Sequence, residues 1–279
     1  MGFVLQALNE LQILGWYDTL QSYNHTDMSN PVLTRQFGRP ASGHGAGLDT
    51  DPSPIVTSPG DRMTMGDTMR ATGTLFTLLL AGAVFGWINA EAVSGILLIS
   101  ILALFGLLIV TMIKPQWVRV TGPLFAVAEG VMVGAISSLY SALYDGIVVQ
   151  AILATLAVFV AMLFLYATRI IKVTQRLRST VILATAGIAI FYIASIVLSL
   201  FGVNIPSVFD AGPLGIGISL LIVGVAAFNL LLDFDIIERG INEGAPGWMS
   251  WFAAFGLMVT VVWLYLELLR LIALVSGRD

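Results

Sequence analysis

Three stretches place ionisable side chains inside long apolar runs, where a charge is costly and faces a cavity or a partner. Glu129 interrupts the run Val120–Tyr144 about ten residues in, and is followed by Gly130 and Gly134. Asp233, Asp235 and Glu238 stand together in Leu232-Asp233-Phe234-Asp235-Ile236-Ile237-Glu238-Arg239, where another apolar run ends. Glu267 and Arg270 stand three apart in the last run, and Thr260 lies two turns before Glu267 on the same stripe. Carboxylates in such settings bind a proton or contact a cation. Other chemistry has no support. There are no cysteines, which excludes disulfides and thiolate sites. The two histidines, His25 and His44, lie in a polar N-terminal segment, away from the apolar runs. No nucleophile–base arrangement is visible, so the chain is read as not being an enzyme. No Gly-Lys-Ser/Thr follows the glycine-rich Ala211-Gly212-Pro213-Leu214-Gly215-Ile216-Gly217, so that segment is no phosphate loop. It does have the composition to unwind the start of the sixth run.

Each candidate has two readings. Glu129 is either a proton- or cation-binding carboxylate or a neutral side chain hydrogen-bonded to a neighbouring helix. Its glycines form a small-residue face that lets another helix approach closely. Asp233 is either a gate or cation contact at the inner mouth, the one metal-contacting residue suggested, or part of a solvated helix end. At helical spacing Asp235 shares a face with Glu238 and Arg239 and pairs with them. Glu267 and Arg270 form either an interfacial ion pair anchoring the last helix or part of a conduction path. Gly82-xxx-Gly86 reads as plain helix packing.

The elements that must position these residues follow from composition. Of 279 residues, 57% are apolar and 11% charged, with mean hydropathy +0.91. Ordinary soluble domains carry about 25% charged residues. The charges themselves mark the spans: Ala71–Ala90, Ala92–Ile113, Val120–Tyr144, Gly146–Thr168, Ser179–Phe209, Ala211–Leu232 and Gly244–Leu266. The fifth run is long enough to hold a span plus a loop containing Gly202 and Pro206. Each reaches the ~20 residues that a helix needs to cross the hydrocarbon, and all exceed the ~10 alternating residues of a barrel strand. The fold class is therefore all-α, a seven-helix transmembrane bundle over residues 71–279, and its first partner is the lipid bilayer. Residues 1–70 form a separate polar tail, rich in Ser, Thr, Pro, Asp and Gly. They are expected to be mostly disordered and dispensable for insertion. Gly2–Trp16 is the tail's one apolar stretch, and it lacks the marks of a signal peptide. Net charge is −4 without a basic cluster, which argues against a nucleic-acid partner.

Basic residues set the orientation. Arg35, Arg39, Arg62 and Arg70 precede the first span. Lys114 and Arg119 follow the second, Arg169, Lys172, Arg176 and Arg178 the fourth, and Arg239 the sixth, while the loops near Glu91, Asp145 and Asp210 carry none. The N-terminus is thus expected in the cytoplasm and the C-terminus outside.

Leu230-Leu231-Leu232-Asp233-Phe234-Asp235-Ile236-Ile237, Trp263-Leu264-Tyr265-Leu266-Glu267-Leu268-Leu269-Arg270 and Gln150-Ala151-Ile152-Leu153-Ala154-Thr155-Leu156-Ala157-Val158-Phe159 resemble motifs of the Bax inhibitor-1/YccA family, also called the transmembrane Bax inhibitor motif family. The start Asn30-Pro31-Val32-Leu33 and the long polar tail resemble its actinobacterial branch. The resemblance covers about 70–279 and implies a multi-pass protein of the bacterial plasma membrane. Some members leak calcium in a pH-dependent way. In those, an Asp ending the sixth helix shares a proton or hydrogen bond with an Asp on the seventh. Asp233 matches the first. Thr260 stands where the second would be, and an Asp–Thr pair cannot share a proton as two carboxylates do. The resemblance therefore implies a cation leak channel or ion-coupled transporter, with calcium or protons as cargo and no cofactor. It equally implies the alternative of YccA-like proteins, a non-conducting regulator that binds other membrane proteins such as a membrane protease.

Overall fold

The computed structural model describes residues 62–95, 97–201 and 212–277. The tail through residue 61 with its two histidines, the Gly202–Pro206 loop with Asp210 and Ala211, and Arg278 and Asp279 lie outside the described residues.

The chain opens on a helix start that is readable in its sequence. Thr64 is the N-cap of α1 (Met65–Ile88), and its hydroxyl oxygen accepts the Asp67 N–H at 3.1 Å. Residues 65–70, assigned above to the tail, form the first turn and a half of this helix. Met63 just before it is buried, and its N–H donates to Ala245 O at 2.7 Å. The last residues of the presumed tail therefore pack onto the connection around Ala245 and Pro246.

A short helix, α2 (Ala90–Gly95), precedes α3 (Leu97–Ile113), and a 3-10 turn, Pro115–Trp117, leads into α4 (Val118–Leu143). α5 (Ile147–Ala167), α6 (Gln175–Leu200), α7 (Pro213–Asn242) and α8 (Trp248–Ser276) complete the described elements. Six of these are long and apolar enough to cross a membrane. The seventh, α3, has 17 described residues and follows directly on Ile96, which lies outside the described residues. The described chain is an all-α polytopic membrane protein, and each expected run is represented by a helix. Two boundaries differ: α7 continues past Asp233 to Asn242, and Pro213 onward is helical rather than unwound. As expected, the last helix runs on past its uncharged run through Glu267 and Arg270, to Ser276.

α8 is the central helix and packs on α1, α4, α5 and α7. A helix this apolar around its whole circumference belongs inside a bundle. α1 and α4 run parallel and approach backbone to backbone. Gly82 and Gly86 of α1 face Val127 and Val131 of α4, while Gly130 and Gly134 face Leu79 and Ala83. A Cβ on Gly134 would lie 1.9 Å from Ala83 O, and one on Gly86 would lie 2.0 Å from Val131 O. The two small-residue motifs are thus the two halves of one seam.

Candidate functional site

The seam turns the rest of α4 toward α8. Phe125 meets Phe255 edge to face at 5.0 Å, and Ser137 Oγ hydrogen-bonds Tyr265 Oη at 2.7 Å. Glu129 lies on the i, i+4 row of α4 that joins Phe125 to Ser137. The row places it at the level of α8 between Phe255 and Tyr265, which is also the level of Thr260. Glu129 is 2% exposed, and its Oε2 has no hydrogen-bond partner among the described residues. Thr260 is fully buried and donates to its own helix at Gly256 O, 3.1 Å away.

The acidic run of α7 corrects the solvated-end reading. Asp233 is 3% and Asp235 8% exposed, and both lie inside the last third of α7, which runs on to Asn242. Asp235 accepts from Arg178 at 2.5 Å and from Arg239 at 2.9 Å. The pairing with Arg239 was legible from the i, i+4 spacing, but that with Glu238 does not form. Glu238 instead accepts from Tyr166 Oη at 2.5 Å and from Arg169 at 2.7 Å, both contributed by the end of α5. Higher on the same helices, Asn229 Nδ2 donates to Thr185 Oγ1 at 2.9 Å. α6 is thus clamped to α7 by polar contacts through the depth where lipid offers none.

At the opposite end, Glu267 and Arg270 form the ion pair expected from their spacing, at 3.6 Å. Glu267 is buried and Arg270 half-buried, and Tyr192 of α6 joins the pair. The Tyr192 hydroxyl donates to Glu267 Oε1 at 2.9 Å and accepts from Arg270.

The candidate carboxylates therefore occupy three depths: Asp233 with Asp235 at the end bearing the basic loops, Glu129 midway, and Glu267 at the far end. A cavity at the basic end is lined by Asp235 and Glu238 but not by Asp233, Glu129 or Glu267. Arg178, Tyr166, Arg169 and Tyr192 were missed as partners. Arg178 and Arg169 were visible only as orientation charges, and nothing in an apolar run marks Tyr192 as facing an ion pair many residues away.

Long apolar helices around a central apolar helix, with Asp235, Glu238 and Glu267 held by arginines and tyrosines, define a multi-pass helical membrane protein. Within that class, the family model described as Bax inhibitor 1 like matches residues 29–277, and the chain belongs to that family. Among curated proteins none matches the chain.

Proposed function

We propose that the protein moves ions across the bacterial plasma membrane, as a cation leak channel or ion-coupled transporter, with Glu129 as the carboxylate that the cargo visits at mid-depth. The supporting observation is the Glu129 carboxyl itself, buried on α4 with Oε2 lacking a hydrogen bond among the described residues. A charged carboxylate in an apolar site is costly, so this group is carried protonated or with a cation. A protein that needed only packing at this point would be better served by an apolar side chain. One carboxyl suits a proton, which takes one oxygen. Calcium takes about six to eight, so calcium would pass this level only with water or backbone oxygens supplied along the way. Thr260 at the same level supplies a hydroxyl, not a second acid, so proton sharing between two carboxylates is not the gating device. Asp233 and the Asp235–Arg178 pair would act at the cytoplasmic mouth, and Glu267–Arg270–Tyr192 at the outer one. This orientation, with the N-terminus inside, follows the basic loops. The protein would carry no cofactor and no catalytic activity.

One observation favours the alternative of a non-conducting regulator that binds other membrane proteins. Asp235 and Glu267, at the two ends, are each held by arginine, which closes rather than opens a path. The two readings separate in liposomes holding the purified full-length protein, loaded with a proton- or calcium-sensitive dye and scanned over pH and ion type. Ion movement above that of protein-free liposomes supports the transport reading. Flux equal to the protein-free background under every condition supports the regulator.

A further inference from the structure

Where the α5–α6 loop meets the last turns of α7, the structure encloses a cavity of about 250 Å³. Its wall carries three cations, Arg169, Lys172 and Arg239, and two carboxylates, Asp235 and Glu238. Both carboxylates are taken up by partners, Asp235 by Arg178 and Arg239, and Glu238 by Arg169 and Tyr166. Arg178 behind Asp235 adds a further positive charge. Lys172 is exposed and makes no ion pair or hydrogen bond among the described residues. The cavity is thus surplus in positive charge, with a free ammonium on its wall.

The backbone gives an independent observation. Arg169 has φ 54°, the positive φ of a non-glycine residue. It follows the C-cap of α5, where glycine usually takes this left-handed turn without strain. The stop itself is made by the backbone: Arg169 N–H donates to Tyr166 O at 2.9 Å and Ile171 N–H to Leu165 O at 3.3 Å. The turn does not need an arginine, and the Arg169 side chain lines the cavity while paired with Glu238.

Depth points to the ligand. The apolar span of α5 ends at Ala167, two residues before Arg169. Phe164 and Ile170, close in sequence to the lining residues Tyr166 and Arg169, are exposed at 61% and 65%, as side chains in contact with lipid would be. The cavity therefore lies where hydrocarbon gives way to headgroups, and basic pockets between helices at that depth bind phosphate headgroups. We infer that this cavity binds a phosphate group, carried by an anionic phospholipid headgroup or by a soluble phosphate compound, with Lys172 as the charge that holds it and Arg169 and Arg239 in support.

The test uses the full chain in phosphatidylcholine nanodiscs, titrated in one arm with phosphatidylglycerol and in the other with inorganic phosphate. Lipid retention by native mass spectrometry and thermal stabilisation are read in both. Wild type should retain phosphatidylglycerol over phosphatidylcholine, and Lys172→Gln should weaken that preference roughly five-fold. Lys172→Arg should keep it, which separates loss of the charge from loss of the fold. Lys114→Gln is the control, since Lys114 lies on a different loop at the same end, over the Trp117 ring at 4.5 Å. Stabilisation of wild type by inorganic phosphate and not by phosphatidylglycerol, lost in Lys172→Gln, would identify the soluble source. Equal retention by wild type and Lys172→Gln, or an equal loss in Lys114→Gln, would overturn the proposal, because binding would then be general surface charge. Absence of binding in both arms would overturn it as well.

Discussion

Gly134→Ala tests whether the α1–α4 seam is a tight backbone contact. The added methyl would start 1.9 Å from Ala83 O and 2.7 Å from Ala83 C, against a floor of 3.0 Å for real Cβ contacts. The obstacle is backbone, so no side chain can rotate away, and the helices must part by about 1 Å at that point. A gap of ~0.5–1 Å already forfeits a quarter to a half of each contact's dispersion energy, and forced overpacking costs about 1–3 kcal/mol. Alanine returns up to about 1 kcal/mol as the better helix former, which leaves a net loss of about 1–2 kcal/mol. For a domain of this size that is a fall in Tm of roughly 2–8 °C. Gly73→Ala and Gly106→Ala are the controls. Both glycines are exposed in helices with nothing within 4 Å of the added Cβ, so they should leave Tm unchanged or raise it slightly. The assay is thermal unfolding of each purified variant in one detergent, followed by tryptophan fluorescence. If Gly134→Ala moved Tm in the same direction as Gly106→Ala, the seam would not be the tight contact described.

Other perturbations give separate expectations. Arg178→Ala leaves the buried Asp235 with Arg239 alone and should cost about 3 kcal/mol, whereas Arg70→Ala, which breaks a 3.5 Å pair whose side chains are 84% and 50% exposed, should cost under about 0.5 kcal/mol; denaturation of both variants checks this. Met63→Ala removes a side chain that is 3% exposed and should destabilise by about 2–5 kcal/mol, seen as a lower Tm if residues 62–64 are part of the core. Because the chain has no native cysteine, single cysteines at Asp145 and Lys172 can be labelled from either side of sealed vesicles. They should react with a membrane-impermeant thiol reagent from opposite sides, and labelling from one side only would contradict the assigned orientation.

Charge alone marked the helices, because a bilayer tolerates so few ionisable groups that each one falls near a boundary. The same logic misplaced the end of α7. Asp233, Asp235 and Glu238 were taken as the boundary, but Arg178 lies 57 residues from Asp235 and Arg169 lies 69 from Glu238. No local spacing reveals that these distant cations neutralise the run and let the helix continue. The i, i+3 and i, i+4 pairs, Glu267–Arg270 and Asp235–Arg239, were legible because both partners sit on one helix. The glycine motifs were legible one at a time, and their engagement with each other depends on how α1 and α4 pack. Glu129 stood out as a carboxyl in an apolar run. Its lack of a hydrogen bond at Oε2 depends on what the facing helix presents, which the order of residues along α4 does not state.

The central claim, that ions pass Glu129, is tested most directly by comparing proton and cation flux of wild type and Glu129→Gln in liposomes at matched protein density. The glutamine keeps the size and loses the titrating oxygen. The account predicts that wild-type flux falls to near background in Glu129→Gln while Tm holds or rises, since a buried ionisable group has been removed. Flux in Glu129→Gln equal to that of wild type would contradict it.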